Sequence, residues 1–349
     1  MDLTESDEQQ FLREAIHGVV GREAPLSSVR AWVLDDDVDH VPAMELAVRQ
    51  GWTGIGISED LGGQGGGTLE LAILAEELGR GAFPADPLYA TLLTAQLLSC
   101  SDDPGALELV ESLAGGVTAG ALLHSANQPL DDPLKATAVT PMVLGASGAA
   151  VLISHNTDGL WLADVKASDV RPVLMVDRTR ALADVTSDPD TGRALGKATD
   201  EDVQRLAATA AVLVAADALG AAQRMLDLTV EYVGQRTQFG VPVGSFQAVK
   251  HAAAEMLAAI EGTRAVVQYA AWAVGVDEPD NAIDAWVAKA RAARAAKLVA
   301  DGALFLHGAV GYTWEHDLQL LFKRAKSDIQ LFGGPGVYDD RIADALKLV

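Results

Sequence analysis

Arg236-Thr237-Gln238-Phe239-Gly240-Val241-Pro242-Val243-Gly244-Ser245-Phe246-Gln247-Ala248-Val249-Lys250-His251 is the stretch on which the fold of this chain is decided. Helical spacing runs up to it over Asp202–Gln235 and resumes after it over Ser245–Val274. An arginine therefore stands where one long helix stops. The next helix opens with amides that have no partner inside it, which suits an anion. Arg236 can fork onto phosphate oxygens, and Phe239 can lie against a planar ring. The same residues also make an ordinary helix–turn–helix with a capped end, and spacing alone does not separate the two.

Downstream, helical patterns cover Asn281–Ala300, Asp317–Leu331 and Tyr338–Leu348. Upstream, the pattern changes twice. Val117–Leu123, Ala136–Val143, Ala149–Ile153 and Leu160–Val165 are short, β-rich and separated by Gly, Pro, Asp and Asn. A polar connector, Ser187–Asp200, follows them. Before Gly116 the chain is helical again. Thr4 and Ser6 are candidate caps for a helix with Phe11, Leu12, Ala15, Ile16, Val19 and Val20 at helical spacing, ended near Pro25. Further helices are expected over Pro42–Arg49, from Thr68, over Tyr89–Leu98 and over Gly105–Leu113, with a glycine-rich loop at Gly51–Gly67. The expected class is mostly α with a small central β domain. Its divisions are residues 1–115 (helical), 116–200 (reduced β domain and connector) and 201–349 (helical bundle).

The 349 residues carry 49 acidic against 26 basic side chains, a net charge of −23, which disfavours nucleic acid or an anionic membrane surface as partner. Hydrophobic residues make up 49% of the chain, enough for a sizeable core. Cys100 is the single cysteine, so no disulfide or thiolate metal site forms within one chain. The N-terminus lacks the basic-then-apolar run of a signal peptide, and Ala136–Thr157, the longest uncharged stretch, is broken by Pro141, Gly145 and Gly148. A cytoplasmic location is expected.

Arg236-x-x-Phe239-Gly240 followed by Ser245-Phe246-Gln247-Ala248-Val249-Lys250-His251 resembles the FAD-contacting segment of the acyl-CoA dehydrogenase family. Three more segments agree in order and separation. Gly51-Trp52 with Glu59-Asp60-Leu61-Gly62-Gly63-Gln64-Gly65 is similar to the family's N-terminal loop. Ala218-Leu219-Gly220-Ala221-Ala222-Gln223-Arg224 is similar to its long helix. His307-Gly308-Ala309-Val310-Gly311-Tyr312 resembles its C-terminal glycine turn, which in the family meets FAD across a subunit boundary. The resemblance implies that FAD is contacted by Arg236, Gln238, Phe239, Gly240, Phe246, Gln247, Gly308 and Gly311. It also implies the family's reaction, in which a glutamate takes the α-proton of an acyl-CoA thioester and the flavin takes a hydride from the β-carbon. Electrons then leave to an electron-transfer flavoprotein.

The sequence departs from that family where the base should be. After Lys323-Arg324-Ala325-Lys326 the expected glutamate position holds Phe332 or a neighbouring glycine, and the alternative position falls near Thr209-Ala210. No catalytic residue is therefore assigned to this chain. For Asp217, Glu315, Asp317, Asp339 and Asp340 the expected roles are capping, turn structure or solvation, and for Trp314 a core anchor. His307 and His316 are expected to satisfy turn hydrogen bonds, and no spacing suggests a metal site. The flavin-cradling stretch reads Leu122-Leu123-His124-Ser125-Ala126-Asn127-Gln128-Pro129, the tryptophan strand is not found, and Phe305 stands where many members have glutamine. Only Met142-Val143-Leu144-Gly145-Ala146 and Asp177-Arg178-Thr179-Arg180 keep the family's character. The pattern resembles the shorter, non-catalytic subunit of bacterial steroid side-chain acyl-CoA dehydrogenases. This implies a two-plus-two hetero-oligomer whose partner supplies the base. Faces such as Leu206, Ala210, Leu213 and Val214 are expected in the oligomer core.

Overall fold

Ser6 caps the first helix with a reciprocal pair of bonds: its hydroxyl accepts from the Gln9 amide, while the Gln9 side chain accepts from the Ser6 amide. The computed structural model describes residues 4–33, 38–132, 139–156, 158–165, 168–187 and 192–348. Of the expected features, the N-terminal three residues, positions 136–138 of the second strand and positions 188–191 of the connector lie outside those described. Helix α1 (Asp7–Glu23) stops before Pro25, as expected, but a helix follows at once. The Pro25 carbonyl accepts from the amides of Ser28 and Val29, so Pro25 opens α2 (Leu26–Val33) as much as it closes α1. Next come α3 (Val41–Arg49), α4 (Thr68–Arg80), α5 (Asp86–Leu98) and α6 (Pro104–Ala114), the last capped by Asp103. Between α3 and α4 the glycine-rich loop makes two 3-10 turns, and a Cβ on Gly63 would overlap the Ile57 carbonyl.

The β region is richer than the sequence indicates. Strands β1 (Gly120–Leu122), β3 (Val151–Asn156), β4 (Gly159–Leu162) and β7 (Arg193–Ala194) form one sheet in the order β1-β3-β4-β7, with β1 and β3 parallel. Strands β2 (Val139–Leu144), β5 (Asp169–Val173) and β6 (Leu182–Thr186) form an antiparallel sheet in the order β2-β6-β5. The loop into β6 is fixed by a buried ion pair. Arg180 donates to Asp86 at 2.6 Å, the Ala181 amide donates to the other Asp86 oxygen at 2.7 Å, and Thr179 donates to Asp177. That pair is the reason for the Asp177-x-Thr179-Arg180 pattern: an arginine this deep needs a carboxylate beside it.

Five helices follow: α7 (Asp200–Gln235), α8 (Gln247–Gly275), α9 (Asn281–His307), α10 (Leu318–Gln330) and α11 (Pro335–Ala345). A short hairpin of β8 (Thr237–Gln238) and β9 (Val241–Pro242) joins α7 to α8. By length and composition α7 is apolar enough to cross a bilayer, but 94% of its most apolar window is buried within the chain. Leu206, Ala210, Leu213 and Val214 are all buried here, so the chain itself covers the face assigned to an oligomer core. The abundant small residues explain how: a Cβ on Gly220 would overlap the Glu76 carbonyl, and one on Gly79 would overlap the Asp217 carbonyl. Helices α4 and α7 thus cross backbone to backbone.

The chain divides into two compact units, Met1–Ala31 with Ala72–Phe83 and Ala211–Val349, and Trp32–Leu71 with Pro84–Ala210. In the first unit α9 packs against α8, α10 and α11. Its crossing helices are also tied by charge. Glu76 on α4 pairs with Arg264 on α8 and with Arg13 on α1, and Arg264 donates to Gln223 on α7. Fully buried Arg324 on α10 donates two parallel bonds, 2.9 and 2.5 Å, to fully buried Asp217 on α7.

Candidate functional site

Helix α7 ends at Gln235 because the chain turns sharply there. The Arg236 amide still donates to the Tyr232 carbonyl (2.8 Å), and the Arg236 carbonyl then accepts from Val243 (2.7 Å) across the hairpin. Strand register pairs Thr237 with Pro242 and Gln238 with Val241, leaving a two-residue loop of Phe239 (φ +53°) and Gly240 (φ +81°). Positive φ at both positions is what a tight hairpin requires, and glycine meets it without strain. A phenylalanine does not. Its ring is nonetheless 93% exposed, touching Phe246 edge to face at 6.3 Å. A large apolar side chain held outward in a disfavoured backbone conformation contributes nothing to the core, which makes Phe239 a candidate contact residue.

Arg236, Gln238, Phe246, Gln247, Lys250 and His251 are exposed around this tip. Phe246 precedes α8 and contributes no side-chain acceptor, so the first amides of this 29-residue helix have no side-chain cap. Within twelve residues the hairpin segment thus brings together an exposed arginine, an exposed flat apolar ring and a helix N-terminus without a side-chain cap.

The glycine turn lies at the far end of α9. Gly308 (φ +64°, ψ −145°) takes a conformation open to glycine, and a 3-10 turn spans Gly308–Tyr312. Gly311 is buried, and a Cβ there would crowd the side chains of Leu304, His307 and Leu318. Phe305, one turn earlier, is 82% exposed, as is much of Tyr312. The two segments meet through one stack: the His307 ring lies 4.5 Å from that of Tyr232 at an interplanar angle of 18°, and His316 meets His307 edge to face at 5.0 Å.

Neither position where a base was sought is open. Phe332 is 3% exposed with φ +56°, and its carbonyl accepts from the Tyr338 hydroxyl at 2.5 Å. Buried Lys289 donates to the carbonyls of Asp328, Ile329 and Gly333 at 2.9–3.2 Å, closing the end of α10. The segment is a sealed helix terminus. At the other position Ala210 is buried, and the Thr209 hydroxyl bonds back to Arg205.

The remaining acids are placed as follows. Asp217 is neither a cap nor solvated, but the buried partner of Arg324. Asp339 and Asp340 do not cap α11, which starts at Pro335; Asp339 pairs with Arg294 instead. Glu315 is exposed, and Asp317 pairs with Arg30 at 2.9 Å. His316 accepts from the Leu318 amide, and His307 donates to the Ala303 carbonyl. Trp314 is not a core anchor: it is half-exposed, with Lys323 over its ring at 3.4 Å from the centroid. In the β region, Ala126 donates to the Met142 carbonyl and Asp184 accepts from the Met142 amide. Met142 sits at φ +57° in a bulge of β2. Asp184 carried no sequence signal, because its role depends on that bulge.

Two family models match the chain: acyl-CoA dehydrogenase, N-terminal domain, over residues 6–101 and acyl-CoA dehydrogenase, C-terminal domain, over residues 202–346. The acyl-CoA dehydrogenase IpdE2 of Mycobacterium tuberculosis is 36% identical over 340 residues, 95% of each chain. Among solved structures, a variant of the steroid ACAD Tcur3481-Tcur3483 superposes with a TM-score of 0.85 at 24% identity over 98% of both chains. The ChsE4-ChsE5 complex from Mycobacterium tuberculosis gives 0.85 at 23% over the full length of both. From its N-terminal helices to its C-terminal bundle, the chain belongs to the acyl-CoA dehydrogenase family.

Proposed function

We propose that this chain is the FAD-contributing, base-free subunit of a hetero-oligomeric acyl-CoA dehydrogenase that forms a trans-2-enoyl-CoA from an acyl-CoA thioester. The substrate class proposed is a steroid side-chain thioester, in keeping with the steroid ACAD named among the superposing structures. The observation that carries the reading is a contrast. The hairpin face at Arg236 and Phe239 is open and strained outward, while both positions for a base are packed shut by Phe332, Lys289 and Ala210. FAD, when bound, supplies the hydride acceptor for the β-carbon.

The residues fit a dinucleotide. Arg236 and the open amides of α8 suit its pyrophosphate, and the Phe239 ring suits a flat face of the ligand. Gly308 brings bare backbone to the surface, where a side chain would block close approach. Among the described residues, neither of the two family positions for a base holds a carboxylate, since Phe332 and Thr209-Ala210 stand there. That group, the acyl pocket and the rest of the flavin contacts fall to a partner chain, and the two-plus-two assembly follows from one partner completing each site. The paired names of the superposing structures, Tcur3481-Tcur3483 and ChsE4-ChsE5, support such an assembly. Electrons are handed on to an electron-transfer flavoprotein, and the location is cytoplasmic.

The test is flavin occupancy of the co-purified complex. Arg236→Ala should weaken FAD binding about tenfold or more, because a charge-assisted contact is lost. Arg236→Lys should restore it in part, since an ammonium cannot fork. Full flavin retention by Arg236→Ala contradicts the reading.

A further inference from the structure

The Arg236 hairpin and the glycine turn are 72 positions apart in sequence, yet one side chain touches the supports of both. His307 is the last residue of α9 and precedes Gly308 directly, and its Cβ is among the atoms that would crowd a side chain at Gly311. Its ring stacks on Tyr232, which lies in the last turn of α7, and the Tyr232 carbonyl accepts the Arg236 amide. His307 is only 3% exposed, far less than a surface turn needs. Its Nδ1 is committed to the Ala303 carbonyl at 2.8 Å, which fixes the ring plane along α9. Its Nε2 has no hydrogen-bond partner among the described residues, so polar bonding does not account for placing the ring there. Nor does the histidine serve proton transfer, since the ring faces Tyr232 and His316 and both base positions lie elsewhere.

We infer that His307 is a positioning residue: by stacking on Tyr232 it holds the Arg236 hairpin in register with the Gly308–Tyr312 turn, so that one dinucleotide meets both. The inference rests on the reading of this face as a dinucleotide site, and it adds the device that keeps the two halves of that face together. Backbone bonds alone do not do this. The hairpin's backbone bonds run among residues 232–246, and those of the glycine turn among 304–316. The Tyr232–His307 stack is a cross-link between α7 and α9 at this end of the bundle. His316, edge-on to both rings, supports it from the residues leading into α10.

Two measurements on the full chain test this. The first is amide hydrogen exchange without flavin. His307→Ala should speed exchange by about tenfold or more at residues 236–246 as well as at 308–313, and His307→Phe, which keeps a flat ring on Tyr232, should restore the hairpin. Unchanged exchange at 236–246 in His307→Ala overturns the inference. If that variant does not fold, Tyr232→Leu reads the same coupling from the other side, at 308–313. The second measurement is a double-mutant cycle in FAD affinity of the assembled complex. Tyr232→Leu and His307→Ala should each weaken FAD about tenfold and the pair no more than either alone; independent, additive losses overturn the inference. Arg236→Ala is run alongside. If it leaves FAD affinity unchanged, the dinucleotide reading itself fails, while the exchange experiment still decides whether His307 couples the turns.

Discussion

Asp217 shows how little a carboxylate's identity says without its surroundings. Helical geometry places it on the α7 face away from the alternative base position, where capping or solvation is the expected role. Instead its two oxygens take both parallel bonds of Arg324, with neither side chain exposed. The family pattern around Lys323-Arg324-Ala325-Lys326 gave no hint, because the partners are 107 positions apart. Breaking such a pair strands a buried charge and costs about 3–5 kcal/mol, whereas replacing both members by apolar residues of similar volume is often nearly neutral. Asp217→Asn should therefore lower the urea midpoint sharply, while Asp217→Leu with Arg324→Met should recover most of the loss. A fully stable single variant would show that the pair carries no such weight.

At the scale of single elements, the long helices were legible from spacing, and so was the cap at Ser6. Their boundaries moved by a few residues where a proline both ends and begins a helix, as at Pro25. Strands β5 to β7 were not legible: each is short, and β5 alternates charged and apolar residues on a largely exposed edge of its sheet. The hairpin at Arg236 was legible as a turn, but not as a strained one. Phe239 occupies a left-handed conformation that costs a non-glycine residue about 1–2 kcal/mol. Phe239→Asn should leave thermal stability unchanged or raise it by up to about 1 kcal/mol, because asparagine tolerates that conformation. It should at the same time weaken flavin binding by the complex. Lower stability in this variant, with flavin affinity intact, would mean that Phe239 serves the fold alone.

Over the whole molecule, the fold class and the family were readable because four separated motifs keep their order along the chain. What the sequence misjudged was which apolar surface is left uncovered. The alanine and leucine faces of α7 are filled by close crossings at Gly79 and Gly220. The large apolar side chains left exposed in the C-terminal half include five aromatic ones in or beside the Arg236 hairpin and the glycine turn: Phe239, Phe246, Phe305, Tyr312 and Trp314. Exposed aromatic surface of that kind suits a site shared with another chain, the role proposed above for this face.

The central claim, that the chain shapes the flavin site but moves no proton, is tested most directly by steady-state oxidation of an acyl-CoA by the reconstituted complex with an artificial electron acceptor. Glu315→Gln, Asp339→Asn and Asp340→Asn should each leave turnover within about tenfold, or ~1.4 kcal/mol, of the unaltered complex, and removal of the partner's glutamate should abolish it. A drop of about a thousandfold in any one of these three variants, with flavin content and assembly intact, would place the base in this chain and contradict the account.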